Sequence, residues 1–153
     1  MELNGVPLHP LVVHAVVVLG PLAAFAGLTY ALVARWRWLL RWPLVVLAVG
    51  VAVAAVVAAA AGEDLLSSRP ELAPIVVEHQ EDGELLRLWA IGYAVVALLG
   101  AWALGGTSAL ASGRGARDTR FGIPVMALLA VGAVGLLVTV YLAGDSGATA
   151  VWG

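Results

Sequence analysis

The run WPLVVLAVGVAVAAVVAAAAG, residues 42–62, contains no Asp, Glu, Lys or Arg. Rising about 1.5 Å per residue, a helix of this length covers the ~30 Å hydrocarbon core of a bilayer. Working outward, residues 11–34, 88–113 and 121–144 are charge-free in the same way. The chain therefore reads as all-α, a four-transmembrane-helix bundle with spans about 10–34, 42–63, 86–112 and 121–144 in a single membrane domain, 1–153.

Composition agrees. Hydrophobic residues make up 62% and charged residues 12%, and the mean hydropathy is +0.99, an excess of apolar surface that a soluble domain could not hide. The 18 glycines and many alanines suit helices that approach closely inside lipid. Cysteine is absent, which removes disulfides, thiolate metal sites and cysteine nucleophiles together. A net charge of -2 gives no reason to expect nucleic acid as a partner.

The first span is read as retained, because Met1 to Pro10 carries no cation and the apolar run exceeds a signal-peptide core. Pro10 suits a first helical turn, whereas Gly20-Pro21 falls mid-span and is expected to kink it. Arginine bias sets the expected orientation. Arg35, Arg37 and Arg41 occupy the first loop, and Arg114, Arg117 and Arg120 stand against Asp118 in the third. The second loop holds Glu63, Asp64, Glu71, Glu78, Glu81, Asp82 and Glu84 against Arg69 and Arg87. The first and third loops are thus expected to be cytoplasmic, with both termini outside. The acidic extracytoplasmic loop is expected to be partly ordered, with Pro74 starting a helix through Glu78 and His79 that Gly83 breaks or bends. Trp36, Trp38 and Trp42 are expected to form an inner aromatic belt, and Trp89, Tyr93 and Tyr141 an outer one. No internal repeat stands out.

On this topology all three histidines, His9, His14 and His79, lie on the outer side. Glu63 and Asp64 end the second span there and Asp145 the fourth, so each helix brings a potential ligand to one layer. Neutral imidazoles with one or two carboxylates suit Zn, Cu(II) or non-haem Fe. A b-type haem would need two histidines on facing helices, for which His14 and His79 are the available pair. Against this stand plainer readings: hydrogen bonding within the bundle for His14, an exposed turn for His9, and helix stops at the lipid boundary for Glu63 and Asp64.

No reaction is assigned from these residues. Gly144-Asp145-Ser146-Gly147 spells the surroundings of a chymotrypsin-like serine nucleophile, but that chemistry needs a histidine base, a buried aspartate and a β-barrel scaffold. Gly144 is expected instead to end the fourth helix. No phosphate loop or Rossmann fingerprint occurs. No series of acids or histidines crosses the membrane, so an ion pathway is not expected. The pairs Gly100/Gly105 and Gly132/Gly135 are read as close helix contacts.

Gly5-Val6-Pro7-Leu8-His9-Pro10-Leu11-Val12-Val13-His14, together with Gly62-Glu63, Glu78-His79 and the ending Gly144-Asp145-Ser146-Gly147-Ala148, resembles a domain-of-unknown-function family of bacterial four-helix integral membrane proteins. The resemblance spans the whole chain. It implies a membrane location and an outer-face motif set in which some relatives carry histidine at the position of Asp145, and it implies no activity.

The leading expectation is a multi-pass protein of the bacterial cytoplasmic (inner) membrane, both termini extracytoplasmic. In this reading His9, His14, His79, Glu63, Asp64 and Asp145 form a transition-metal site (Zn, Cu or Fe) serving a redox or respiratory partner. The first alternative is a structural or assembly subunit whose outer polar layer is a hydrogen-bonded clamp and whose glycine faces dock other membrane proteins or a second copy. The second is a small b-type cytochrome.

Overall fold

The computed structural model describes residues 2–3, 6–105 and 121–153. Two short strands, β1 (Glu2–Leu3) and β2 (Val6–Pro7), pair antiparallel. Among the described residues four α-helices follow: α1 (Leu8–Leu32), α2 (Arg37–Ser68), α3 (Val77–Leu104) and α4 (Gly122–Trp152). All four are long and apolar enough to cross a membrane. Each puts large apolar side chains outward, as at Trp102, 70% exposed, and Ile123, 77% exposed, which is the distribution a lipid-solvated bundle requires.

Local chemistry explains the ends. α1 closes where Arg37 folds back, its Nε donating to the Tyr30 carbonyl (2.9 Å) and an Nη to that of Ala31 (3.0 Å). A cation thus meets the carbonyls left open at a helix C-terminus. α2 ends where the Ser67 and Ser68 hydroxyls donate to the carbonyls of Asp64 and Leu65 and Pro70 opens a short 3-10 turn, Pro70–Leu72. α3 then runs unbroken from Val77 through Gly83, so that glycine does not interrupt it.

α4 does not stop at Gly144. It continues through Asp145, Ser146 and Gly147 to Trp152, with the Ser146 hydroxyl donating to the Leu142 carbonyl one turn back (3.0 Å). Neither glycine there forms a left-handed cap; Gly147 has the His79 ring against it, while Gly144 faces open space. The expected cytoplasmic arginines Arg114, Arg117 and Arg120, and Asp118, lie outside the described residues.

Small residues make the core. Ala23, Ala24, Ala48, Ala90, Ala97 and Ala133 are fully buried, and the larger buried side chains fit against glycine. Tyr93 lies over Gly27 and Gly132 and Leu129 over Gly100, and at the surface the exposed Trp89 lies over Gly135. Tyr93 is therefore a core residue and not part of an aromatic belt; its hydroxyl donates to the Ala23 carbonyl (2.8 Å). α1 and α3 each pack along α2 and α4 and stand diagonal to one another. The two tyrosines bridge that diagonal, since the Tyr30 hydroxyl in turn reaches the Gly100 carbonyl (3.4 Å).

Both tyrosine bonds join residues 70 positions apart, and this offset relates α1 to α3 generally. Of the buried residues of α1, Val16, Gly20, Ala23, Ala24, Gly27, Tyr30 and Ala31 have buried counterparts at Leu86, Ala90, Tyr93, Ala94, Ala97, Gly100 and Ala101. With an offset of 85, the buried Leu44, Ala48, Val51, Ala55, Ala58 and Ala61 of α2 match Leu129, Ala133, Leu136, Val140, Ala143 and Ser146 of α4. Contacts repeat too: Leu19 lies over Gly50 as Trp89 lies over Gly135. The bundle is thus two equivalent helical hairpins, α1–α2 and α3–α4, and the repeat missing from the sequence reading is present in the fold. The two offsets differ because the α3–α4 connection is longer, so no single period aligns the halves. What repeats is burial and size far more than residue identity.

Candidate functional site

The repeat brings His9 and His79, again 70 positions apart, to one end of the bundle. His9 lies in the first turn of α1 and its Nδ1 is 2.8 Å from the Ala58 carbonyl of α2. His79 lies in the first turn of α3 and its Nδ1 is 3.0 Å from the Ala143 carbonyl of α4. A carbonyl only accepts, so Nδ1 carries the proton in each ring and, in the neutral imidazole, Nε2 keeps its lone pair. One turn beyond each carbonyl stands a glycine on which the ring rests, Gly62 under His9 and Gly147 under His79. The two rings then meet edge to face across the two hairpins, centroids 5.8 Å apart and planes at 77°.

Both rings are half-buried. His79 stands ahead of the charge-free stretch of α3, which opens at Leu88. Burial, reinforced by the charge of neighbouring His9, holds its pKa below the ordinary 6.5; the bond to Ala143 and the nearby Asp82 oppose that shift without cancelling it. The imidazole is therefore neutral near pH 7.

Of the six residues expected to form the site, only His9 and His79 are in ring contact. His14 follows His9 by five positions, about 140° around the helix. It is exposed, with Nδ1 turned back to the carbonyl of Pro10 at 2.6 Å, so it presents a different face from the one on which His9 meets His79. Glu63 and Asp145 are exposed and Asp64 is half-buried. Among the described residues no three of His, Asp and Glu gather as they would around a metal ion. The sequence reading missed Ala58 and Ala143 as hydrogen-bond acceptors. The signal available was the Ala-x-x-x-Gly spacing, Ala58 to Gly62 and Ala143 to Gly147, which recurs near the histidine end of α2 and α4.

Residues 5–153 match the profile of a family described as predicted membrane protein (DUF2231). The chain belongs to this family. The region matched to DUF2231 takes in both histidines, both carbonyl acceptors of the site and both glycines. Together with the four long apolar helices it identifies a multi-pass membrane protein. No curated protein and no solved structure matches this DUF2231 chain.

Proposed function

We propose that this protein is a structural or assembly module of the membrane whose polar layer works as a hydrogen-bonded clamp. The observation that carries the reading is the pair of equivalent bonds from His9 and His79 to the Ala58 and Ala143 carbonyls, joined by the contact between the rings. Each bond closes one hairpin at its open end, and the ring contact ties the hairpins to each other. The carbonyls bonded are those of helices that keep their own ladder, so His9 adds a second donor to an acceptor with two lone pairs, while the Ala143 carbonyl takes His79 and a longer bond from the Ser146 hydroxyl (3.5 Å). Such a bond contributes about 1 kcal/mol.

Substitution separates the clamp from simple ring packing. Asparagine carries an amide donor where histidine has Nδ1, while glutamine places its donor near the Nε2 position. His79→Gln is expected to destabilise the protein by about 1–2 kcal/mol in detergent unfolding titrations, and His79→Asn by less than half as much. Equal losses for the two would sink the clamp. Acid should loosen it. The folded pKa of His79 lies below 6.5, so the stability contributed by its neutral ring is complete above pH 6.5 and is lost as the pH falls from there through the folded value. His79→Asn, which does not titrate, should show a shallower decline.

A second reading has the same layer bind a metal ion. It is favoured by the Nδ1–H donation to backbone carbonyls, the arrangement that orients metal-binding imidazoles and leaves Nε2 for the ion. Glu63 and Asp64 follow Gly62 directly, and Asp145 precedes Gly147 by two positions, so carboxylates border the layer.

In both readings we place the histidine end outside the cytoplasm, on the strength of the arginine bias. Cysteine at position 37 should then resist a membrane-impermeant maleimide in intact cells and react once the membrane is opened; labelling in intact cells would reverse the orientation.

A further inference from the structure

We infer that the inner faces of the two hairpins recognise each other and not themselves, so that α1–α2 accepts only an α3–α4 hairpin as partner, its own or that of a second copy. The determinants are two contacts on the axis that relates the repeats. A residue that touches its own equivalent lies on that axis, as in any two-fold interface. His9 with His79, Ala23 with Tyr93 and Tyr30 with Gly100 all do so.

Pairing of like with like would turn each of these into a contact between identical residues. The histidine layer would not discriminate, because a ring meets a ring in every combination. The tyrosine layers would. Pairing α3–α4 with a second α3–α4 sets Tyr93 against Tyr93 in place of Ala23, and replaces Gly27, on which the ring rests, by its equivalent Ala97. A Cβ at Gly27 would overlap the Tyr93 hydroxyl, and Ala97 brings that Cβ. Pairing α1–α2 with itself sets Tyr30 against Tyr30 in place of Gly100, and leaves Ala23 facing Ala23 across the space that Tyr93 fills. Both tyrosines are buried, so overpacking at one level and a void at the other are each destabilising. The large side chain thus belongs to α3 at one level of the axis and to α1 at the next, and only unlike hairpins match at both. Discrimination of this kind works by clashes against the wrong partner. It is effective in lipid, where close packing and not apolar burial drives helix association.

The chain has no cysteine, so engineered thiols report pairing without background. The test uses the full-length protein, folded in mild detergent and then cut at a protease site placed in the largely exposed connection 69–76, which frees the hairpins to re-pair. Gly20→Cys with Val140→Cys reports the observed pairing, because a Cβ at Gly20 lies 3.7 Å from the Val140 Cβ, inside the ~3.5–4.5 Å that a disulfide spans. Ala90→Cys with Val140→Cys reports pairing of α3–α4 with itself, since Ala90 is the equivalent of Gly20. Within one hairpin these two cannot bond: Trp89 already faces Gly135, and Val140 lies more than a turn further on.

Under mild oxidation the first pair should join the unlike halves, and the second should give at most about one tenth as much of the like-with-like dimer. Tyr93→Ala empties the axis contact and should raise that dimer by about tenfold or more. Comparable yields of both products from the wild-type halves, or no gain in Tyr93→Ala while the first pair still bonds, overturns the inference. Should Tyr93→Ala lose the first bond as well, the milder Tyr93→Leu is read in the same way. His79→Asn should leave the choice of partner unaltered, which separates recognition from the clamp; a loss of selectivity in that variant would overturn the assignment to the tyrosine layers.

Discussion

Replacing Gly27 by alanine is expected to destabilise the bundle by about 3 kcal/mol, read as a lower midpoint in detergent unfolding. A Cβ at this position would overlap the hydroxyl oxygen of Tyr93 and stand 3.1 Å from its Cζ. The ring cannot retreat. Tyr93 is 2% exposed, and on its other side a Cβ at Gly132 would lie 2.9 Å from its Cδ2, so the tyrosine is wedged between α1 and α4. Any shift that relieves the clash also stretches the bond from the hydroxyl to the Ala23 carbonyl. Helix propensity favours alanine over glycine by about 1 kcal/mol, which makes the predicted sign a strict test of the packing. The double variant Gly27→Ala/Tyr93→Phe removes the atom in closest conflict and should recover most of the loss, to within about 1.5 kcal/mol of wild type. Additive losses in the two single variants would show that the clash is relieved elsewhere.

The four spans were legible in the sequence because they depend on a single property, the absence of charge over more than twenty residues. The ends were less so. α2 runs on to Ser68, beyond its charge-free run, because an interfacial helix tolerates Glu63 and Asp64 outside the hydrocarbon. Gly144 read as a stop because glycine after an apolar run so often takes a left-handed cap, yet here α4 continues to Trp152. Tyr93 was placed in a belt by its amphipathic ring, whereas its hydroxyl finds a carbonyl inside the core.

The site was partly legible for a related reason. His9 and His79 were recognisable as unusual polar groups in an apolar chain, but their partners are the main-chain carbonyls of two alanines, and alanine carries no sign that its carbonyl is special. Which polar residues converge depends on helix rotation, and here the repeat decides it: a 70-residue offset sets His9 against His79 as it sets Ala23 against Tyr93 and Tyr30 against Gly100. His14, five positions on, is turned away by the same helical geometry. The duplicated hairpin also explains why the polar layer lies at one end: parallel repeats of an up-down hairpin place equivalent first turns, and hence equivalent histidines, side by side.

That equivalence sharpens a second expected result, at two glycines three residues apart on α4. Gly144→Ala should stabilise the protein by about 0.5–1 kcal/mol, because an added Cβ there meets nothing within 4 Å. Gly147→Val should destabilise it by about 3 kcal/mol. A Cβ at Gly147 stands 2.9 Å from Cε1 and 3.0 Å from Nδ1 of His79, and the branched methyls would drive the imidazole off the Ala143 carbonyl and away from His9. Helix propensity favours both replacements over glycine, alanine by about 1 kcal/mol and valine by a few tenths, so a net loss at Gly147 reports the ring's seat. Gly62→Val, the counterpart in the first hairpin, should act in the same direction through His9, with a smaller loss because its Cβ contacts are 3.2 Å. Combining Gly62→Val with Gly147→Val should cost less than the sum of the two, since once either ring has left its seat the contact between His9 and His79 is already gone. Strict additivity in unfolding titrations would mean that the two rings do not act as one clamp.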